Sequence, residues 1–182
     1  MKYRPYEYQK TAMQWILDHP RCGLFLDMGL GKTVSTLTAL QQLIDDCEIS
    51  KVLVVAPKKV AETTWTTEAE KWNHLQSLRV AKVMGTEKQR NLALASKADI
   101  YVIGRDSFVW LVGKYGGQLP FDVLVIDELT SFKSSKSNRF KAMRTAVPTV
   151  DRVIGLTGTP APNGLIDLWA QMYCIDMGER LG

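Results

Sequence analysis

The chain has 182 residues, about one domain at roughly 150 residues per domain, and its 46% hydrophobic and 23% charged residues are those of a globular protein, not of a disordered or tail-like one. Lys and Arg total 23 and Asp and Glu 19, a formal charge of +4 that permits a nucleic-acid partner without establishing one. Cys22, Cys47 and Cys174 are far apart, MKYRPYEYQK is no signal peptide and no apolar run of roughly 18 residues is present, so a disulfide framework, a zinc site and a membrane span are not expected and the cytoplasm is.

Short apolar runs alternate with helical patterns along the chain. They predict strands over 23–26 and 51–56 with a helix over 32–45 between them, then a helix over 60–72. Strands follow over 78–83, 100–103, 121–126 and 152–156, separated by helices over 86–96, 106–114 and 134–145. KVLVVA at 51–56 is unbroken and largely β-branched, as expected for a strand covered on both faces. Such strands alternating with helices imply an α/β three-layer sandwich around a mostly parallel sheet. Ligands of these sheets bind beyond the carboxyl ends of the strands, where every notable polar cluster of this chain falls.

The first strand runs into Leu26-Asp27-Met28-Gly29-Leu30-Gly31-Lys32-Thr33, and a helix follows. Successive small residues let backbone N–H groups curl round a phosphate, and the helix start adds its dipole. Lys32 can reach the β- and γ-phosphates and Thr33 can ligate Mg²⁺. The P-loop pattern has Gly where this chain has Leu26, and a glycine turn capping a helix would give similar letters. Placement between an apolar strand and a helix favours the phosphate site over that alternative.

Phe121-Asp122-Val123-Leu124-Val125-Ile126-Asp127-Glu128 is an apolar strand delivering two adjacent carboxylates. Buried, unpaired carboxylates are strongly disfavoured, so the pair needs partners or chemistry. In a P-loop protein Asp127 would hold Mg²⁺ through its water shell, and Glu128 would orient and deprotonate the attacking water. The plain alternative is two solvated loop acids, which the phosphate loop upstream disfavours.

With these residues in view, the sequence resembles the N-terminal RecA-like lobe of Swi/Snf-related ATPases in helicase superfamily 2, more closely the small phage and bacterial versions, over residues 3–182. Tyr8-Gln9 with Trp15-Ile16-Leu17 is similar to the family's opening element, and DMGLGKT at 27–33 to its phosphate loop. The stretch 52–72 is similar to a strand ending in Ala-Pro followed by Trp65, Glu68 and Trp72. Asp127-Glu128 matches the acidic box, and Leu156-Thr157-Gly158-Thr159-Pro160, Asn163 and Leu168-Trp169 match the closing signature. The resemblance implies a RecA-like P-loop NTPase fold, ATP and Mg²⁺ as cofactors, Gln9 on the adenine edge, and Thr157 and Thr159 linking the phosphate site to a DNA groove. It also implies double-stranded DNA as partner, held by its backbone, and a second RecA-like lobe that supplies an arginine. Only 170–182 follow Trp169, so the whole chain is expected to be the first lobe of a longer ATPase, and slow to hydrolyse ATP alone.

Two positions depart from the pattern. Leu129-Thr130 stands where the acidic box ends in His or Gln, so a Thr130 hydroxyl replaces an imidazole in the expected coupling role, and Gly104-Arg105-Asp106 replaces a Thr-Thr-Tyr segment. Between Thr130 and Val150 the charged residues are Lys133, Lys136, Arg139, Lys141 and Arg144, all positive. With Lys58 and Lys59 after the second strand and Arg105 after the fourth, Lys133 and Lys136 make the expected nucleic-acid face. A solvated helix face remains the alternative. Trp65 and Trp72, like Trp15, Trp110 and Trp169, read as core packing more than base stacking, and His19 and His74 show no ligand pattern. Two other functions stay open: an adaptor that uses ATP as a switch, and the motor lobe of a restriction or repair assembly.

Overall fold

In the computed structural model, which describes residues 1–132, 134, 136–158 and 165–180, the chain opens with α1 (Glu7–Asp18), β1 (Arg21–Phe25) and α2 (Lys32–Asp45). It continues through β2 (Val52–Ala56), α3 (Trp65–Lys71), β3 (Val80–Val83), α4 (Glu87–Ala95), β4 (Ile100–Gly104) and α5 (Arg105–Lys114). β5 (Val123–Asp127), α6 (Asn138–Ala146), β6 (Arg152–Thr157) and α7 (Leu165–Asp176) complete it. The strands form one sheet in the order β1-β6-β5-β2-β4-β3, and every pairing is parallel.

β2 sits at the centre, with Val54 in register with Val102 of β4 on one side and Val125 of β5 on the other. Side chains alternate across the sheet, so each strand feeds two cores. On one face Val54, Val102 and Val125 pack with Ile16 of α1, Leu37 and Leu40 of α2 and Trp65 of α3. On the other, Leu53, Ile103 and Leu124 pack with Phe108 of α5, Phe140 and Met143 of α6 and Ile175 of α7. These are the three layers expected from the alternation of elements. None of the described helices is long and apolar enough to cross a membrane.

Element boundaries differ from the expected ones for local reasons. The helix expected over 60–72 starts two residues earlier, at Lys58, widens into a π turn over Val60–Thr64 and is α-helical again from Trp65. The helix expected from 134 starts at Asn138, because the Ser137 hydroxyl caps it by accepting the Phe140 N–H at 3.1 Å. β5 and β6 each run one residue further than expected, so Asp127 and Thr157 belong to the strands themselves. α1 and α7 are helices that the periodicity of the sequence does not announce; the buried residues of α1 are Gln9, Ala12 and Ile16.

Candidate nucleotide site

The loop between β1 and α2 turns on two glycines, Gly29 (φ +80°) and Gly31 (φ +77°), in the left-handed region where side chains are disfavoured. Gly31 carries a second constraint, since a Cβ there would run into Gln9 Nε2. No side chain caps α2, so its first N–H groups and the positive end of its dipole face the loop. Lys32 folds its ammonium back to donate to the carbonyls of Leu26 and Asp27, at 2.5 and 3.1 Å, and so sits in the mouth of its own loop. Met28, 90% exposed, is the loop's tip.

Asp127 ends β5 opposite Leu156 of β6, and its Oδ2 accepts the indole N–H of Trp65 at 2.8 Å. Burial pushes the Asp127 carboxyl above the ordinary carboxylate range and the neighbouring charge of Glu128 adds to this; the Trp65 bond and Lys32 act against it. Glu128 has a left-handed backbone, φ +69°, which costs about 1–2 kcal/mol for a residue with a side chain. Two hydroxyls hold it there: Thr130 Oγ1 donates to Glu128 Oε1 at 2.7 Å and Thr157 Oγ1 to the same oxygen at 3.0 Å.

A cleft of about 510 Å³ joins these parts, lined by Gln9, Met28, Gly29, Gly31, Lys32, Thr33, Asp127 and Glu128. Its volume is in the range of small-molecule sites. Gln9 is buried and its amide has one possible orientation: Oε1 accepts from the Tyr6 N–H at 3.0 Å and the Tyr3 hydroxyl at 3.2 Å, and Nε2 donates to the Leu30 carbonyl at 3.2 Å. Gln9 therefore ties α1 to the phosphate loop. The rings of Tyr6 and Tyr8 stack with centroids 5.7 Å apart on the same side of the cleft. Asp27 and Leu30 do not line the cleft; their carbonyls bind Lys32 and Gln9 instead.

The sheet order ranks the remaining expected residues along one edge. Reading the carboxyl ends from β1 through β6, β5, β2 and β4 gives the phosphate loop, Thr157, the two acids, Lys58 and Lys59, then Arg105. Lys58 is exposed and lies 4.0 Å from Glu62, Lys136 is exposed, and Arg105 donates to Ser131 Oγ at 2.7 Å. Lys58, Lys59, Arg105 and Lys136 do not line the cleft. Arg139, part of the same basic stretch, is engaged by Asp106 at 2.5 Å. Lys133, Thr159, Pro160 and Asn163 lie outside the described residues. The sequence reading missed the bond from Trp65 to Asp127; the signal was available in that a fully buried indole N–H needs an acceptor.

Comparison with known proteins matches residues 8–178 to the SNF2-related domain. The chain belongs to the SNF2-related family. Its fold is that of an N-terminal RecA-like lobe of superfamily 2, with P-loop NTPase architecture, and superposes with TM-score 0.82 on the Sulfolobus solfataricus SWI2/SNF2 ATPase core solved in complex with double-stranded DNA. That match has 26% identity and covers 98% of this chain and 37% of the archaeal one. Protein p41 of Acyrthosiphon pisum secondary endosymbiont phage 1 is 41% identical over 99% of this chain and 41% of its own length. Human DNA excision repair protein ERCC-6-like is 29% identical over 97% of this chain and 15% of its own length. This SNF2-related chain thus spans well under half the length of the relatives it matches.

Proposed function

We propose that this SNF2-related lobe binds ATP with Mg²⁺ and forms the first half of a double-stranded DNA translocase, in which hydrolysis drives movement along DNA. The observation that carries the reading is the convergence of Lys32 and Thr33 from α2 with Asp127 and Glu128 from the end of β5 on one cleft. Loop N–H groups and Lys32 take the β- and γ-phosphates, and Gln9, Tyr6 and Tyr8 frame the base. Thr33 and Asp127 offer hydroxyl and carboxylate oxygens, the hard donors Mg²⁺ prefers, and two adjacent acids in a half-buried cleft suit a dication. Held by Thr33 and Asp127, Mg²⁺ would supply positive charge to offset the charge that develops on the phosphates.

Glu128 is the base. Among the described residues both of its hydroxyl bonds fall on Oε1, so Oε2 is the oxygen placed to accept the proton of an attacking water. Thr157 and Thr130 re-aim that carboxylate if the DNA side moves, with Thr159 the expected third member. Lys58, Lys59, Arg105, Lys133 and Lys136 contact DNA phosphates, and the duplex bound by the Sulfolobus core supports double-stranded DNA as the partner. A second RecA-like lobe supplies the opposing arginine; the greater length of the relatives supports this.

Calorimetric titration tests the nucleotide assignment. Lys32→Ala should lose ATP affinity at least about a hundredfold with little change in melting temperature, since among the described residues the Lys32 ammonium bonds only to its own loop; unchanged affinity would remove the assignment. The 182-residue chain should turn ATP over slowly, and a longer chain with the downstream lobe should do so with DNA stimulation. An adaptor that uses ATP as a switch, the reading that Thr130 in place of an imidazole favours, gives no stimulation in either.

A further inference from the structure

We propose that Trp65 is a positioning residue for Asp127: its indole N–H fixes the carboxylate's orientation and so sets how strongly the lobe takes Mg²⁺ together with ATP. The inference rests on the nucleotide reading above and adds to it a residue that touches neither nucleotide nor metal. Trp65 is 0% exposed and does not line the cleft, yet its Nε1 donates at 2.8 Å to Asp127 Oδ2, across 62 residues of sequence. A buried indole has one proton to place. It is placed here on the carboxylate that ends the strand beside the phosphate loop, and not on a backbone carbonyl. A bond to an ionised acceptor is among the stronger neutral-donor bonds, and it stops the carboxylate turning about its own axis. The carboxylate so held is one that lines the cleft.

The backbone before Trp65 is built to put it there. Lys58 and Lys59 open the helix with an α turn, the Ala61 N–H on the Pro57 carbonyl at 2.9 Å, and Val60–Thr64 is the π turn that follows it and leads into α3. An α-helix advances about 100° per residue, so one extra residue in the turn rotates everything after it by that angle. Without the π turn Trp65 would face elsewhere on α3. Wide turns of this kind are frequent at functional sites. Trp72 makes the contrast: its indole also binds a carboxylate, Glu68 at 2.8 Å, but one four residues back, a local staple.

The test uses the 182-residue chain and ATP, titrated with Mg²⁺ and in EDTA. Trp65→Phe keeps an aromatic ring and removes the N–H. It should reduce the Mg²⁺-dependent gain in ATP affinity about tenfold and leave affinity in EDTA unchanged within about twofold, a split that a purely structural loss would not produce. On an Asp127→Asn background, which lacks the charge, Trp65→Phe should add nothing further. In the wild-type chain the indole N–H resonance that Asp127→Asn displaces should move on adding ATP with Mg²⁺ and stay in place with ATP in EDTA. Retention of the full Mg²⁺ dependence by Trp65→Phe overturns the proposal, and a silent indole resonance does so even where the variant fails to fold. Absence of ATP binding by the wild-type chain under both conditions overturns the nucleotide reading and this proposal with it.

Discussion

Asp127 is a carboxylate at the end of a buried strand, and its environment makes ionisation harder than in the unfolded chain. Burial, then the charge of Glu128, raises its folded-state pKa above the ordinary 3.8, so the folded protein holds that proton more firmly than the unfolded chain does. Stability therefore falls as pH rises from 3.8 through the raised value, and the penalty is fully present above it. Asp127→Asn should raise the melting temperature at pH 7 by a few degrees, with the gap closing toward pH 4, while Mg²⁺-dependent ATP binding is lost. A scanning calorimeter at the two pH values checks this, and an unchanged melting temperature at pH 7 would show that the carboxylate is compensated in the fold. The loop and both acids were legible in the sequence because each is a contiguous run whose chemistry is local. Thr130 and Thr157 were expected as coupling residues, but their bonds to Glu128 were not read, and Thr157 reaches it because β6 lies beside β5. Trp65 was read correctly as buried and incompletely as packing alone, because its acceptor is chosen by a turn that no periodicity encodes.

The elements are pinned at their amino ends, opposite the site. Asp122, just before β5, accepts from the Ser50 N–H at 2.8 Å, the Ser50 hydroxyl at 3.0 Å and the Lys51 N–H at 2.9 Å, tying the start of β5 to the start of β2. Burial alone would raise its pKa, and these bonds, with the charge of Lys51, outweigh it and hold the carboxyl below its ordinary value. A depressed folded-state pKa stabilises the protein above the unfolded value near 3.8, and that contribution is lost as pH falls through the folded one. Asp122→Ala should cost about 1–3 kcal/mol at pH 7 and much less near pH 2, read from urea midpoints; an equal loss at both would assign the effect to packing. Strands such as β2 and β4 were legible from unbroken apolar runs. α1 was not, because one of its three buried residues is a glutamine, and α7 was not, because apolar residues recur on all sides of it in the sequence. The late start of α6 at Asn138 follows from a serine cap that competes with the basic residues' helical spacing.

At the scale of the molecule, sheet order converts distant sequence segments into one edge. β5, β2 and β4 are neighbours, so the basic residues that follow them come after adjacent strand ends, and none of those described lines the cleft. Neutralising Lys58, Lys59 and Lys136 should lower affinity for unrelated duplexes alike and reduce the slope of log K against log salt by up to about 2.7, at about 0.9 per phosphate contact, with ATP affinity unchanged. Fluorescence anisotropy over a salt series, on a chain carrying both lobes, supplies the comparison; an unchanged slope would make the basic stretch a solvated face. The same order governs how the protein is made. Among the described residues β1 is an edge strand and pairs only with β6, Arg21 opposite Val153, so the strand that launches the phosphate loop leaves the ribosome without a partner. At roughly 5–20 residues per second the partner follows on the order of ten seconds later. Until then a nascent chain has the loop's sequence but no sheet edge to hold it, and ATP capture by a stalled nascent chain should begin only once β6 has cleared the exit tunnel.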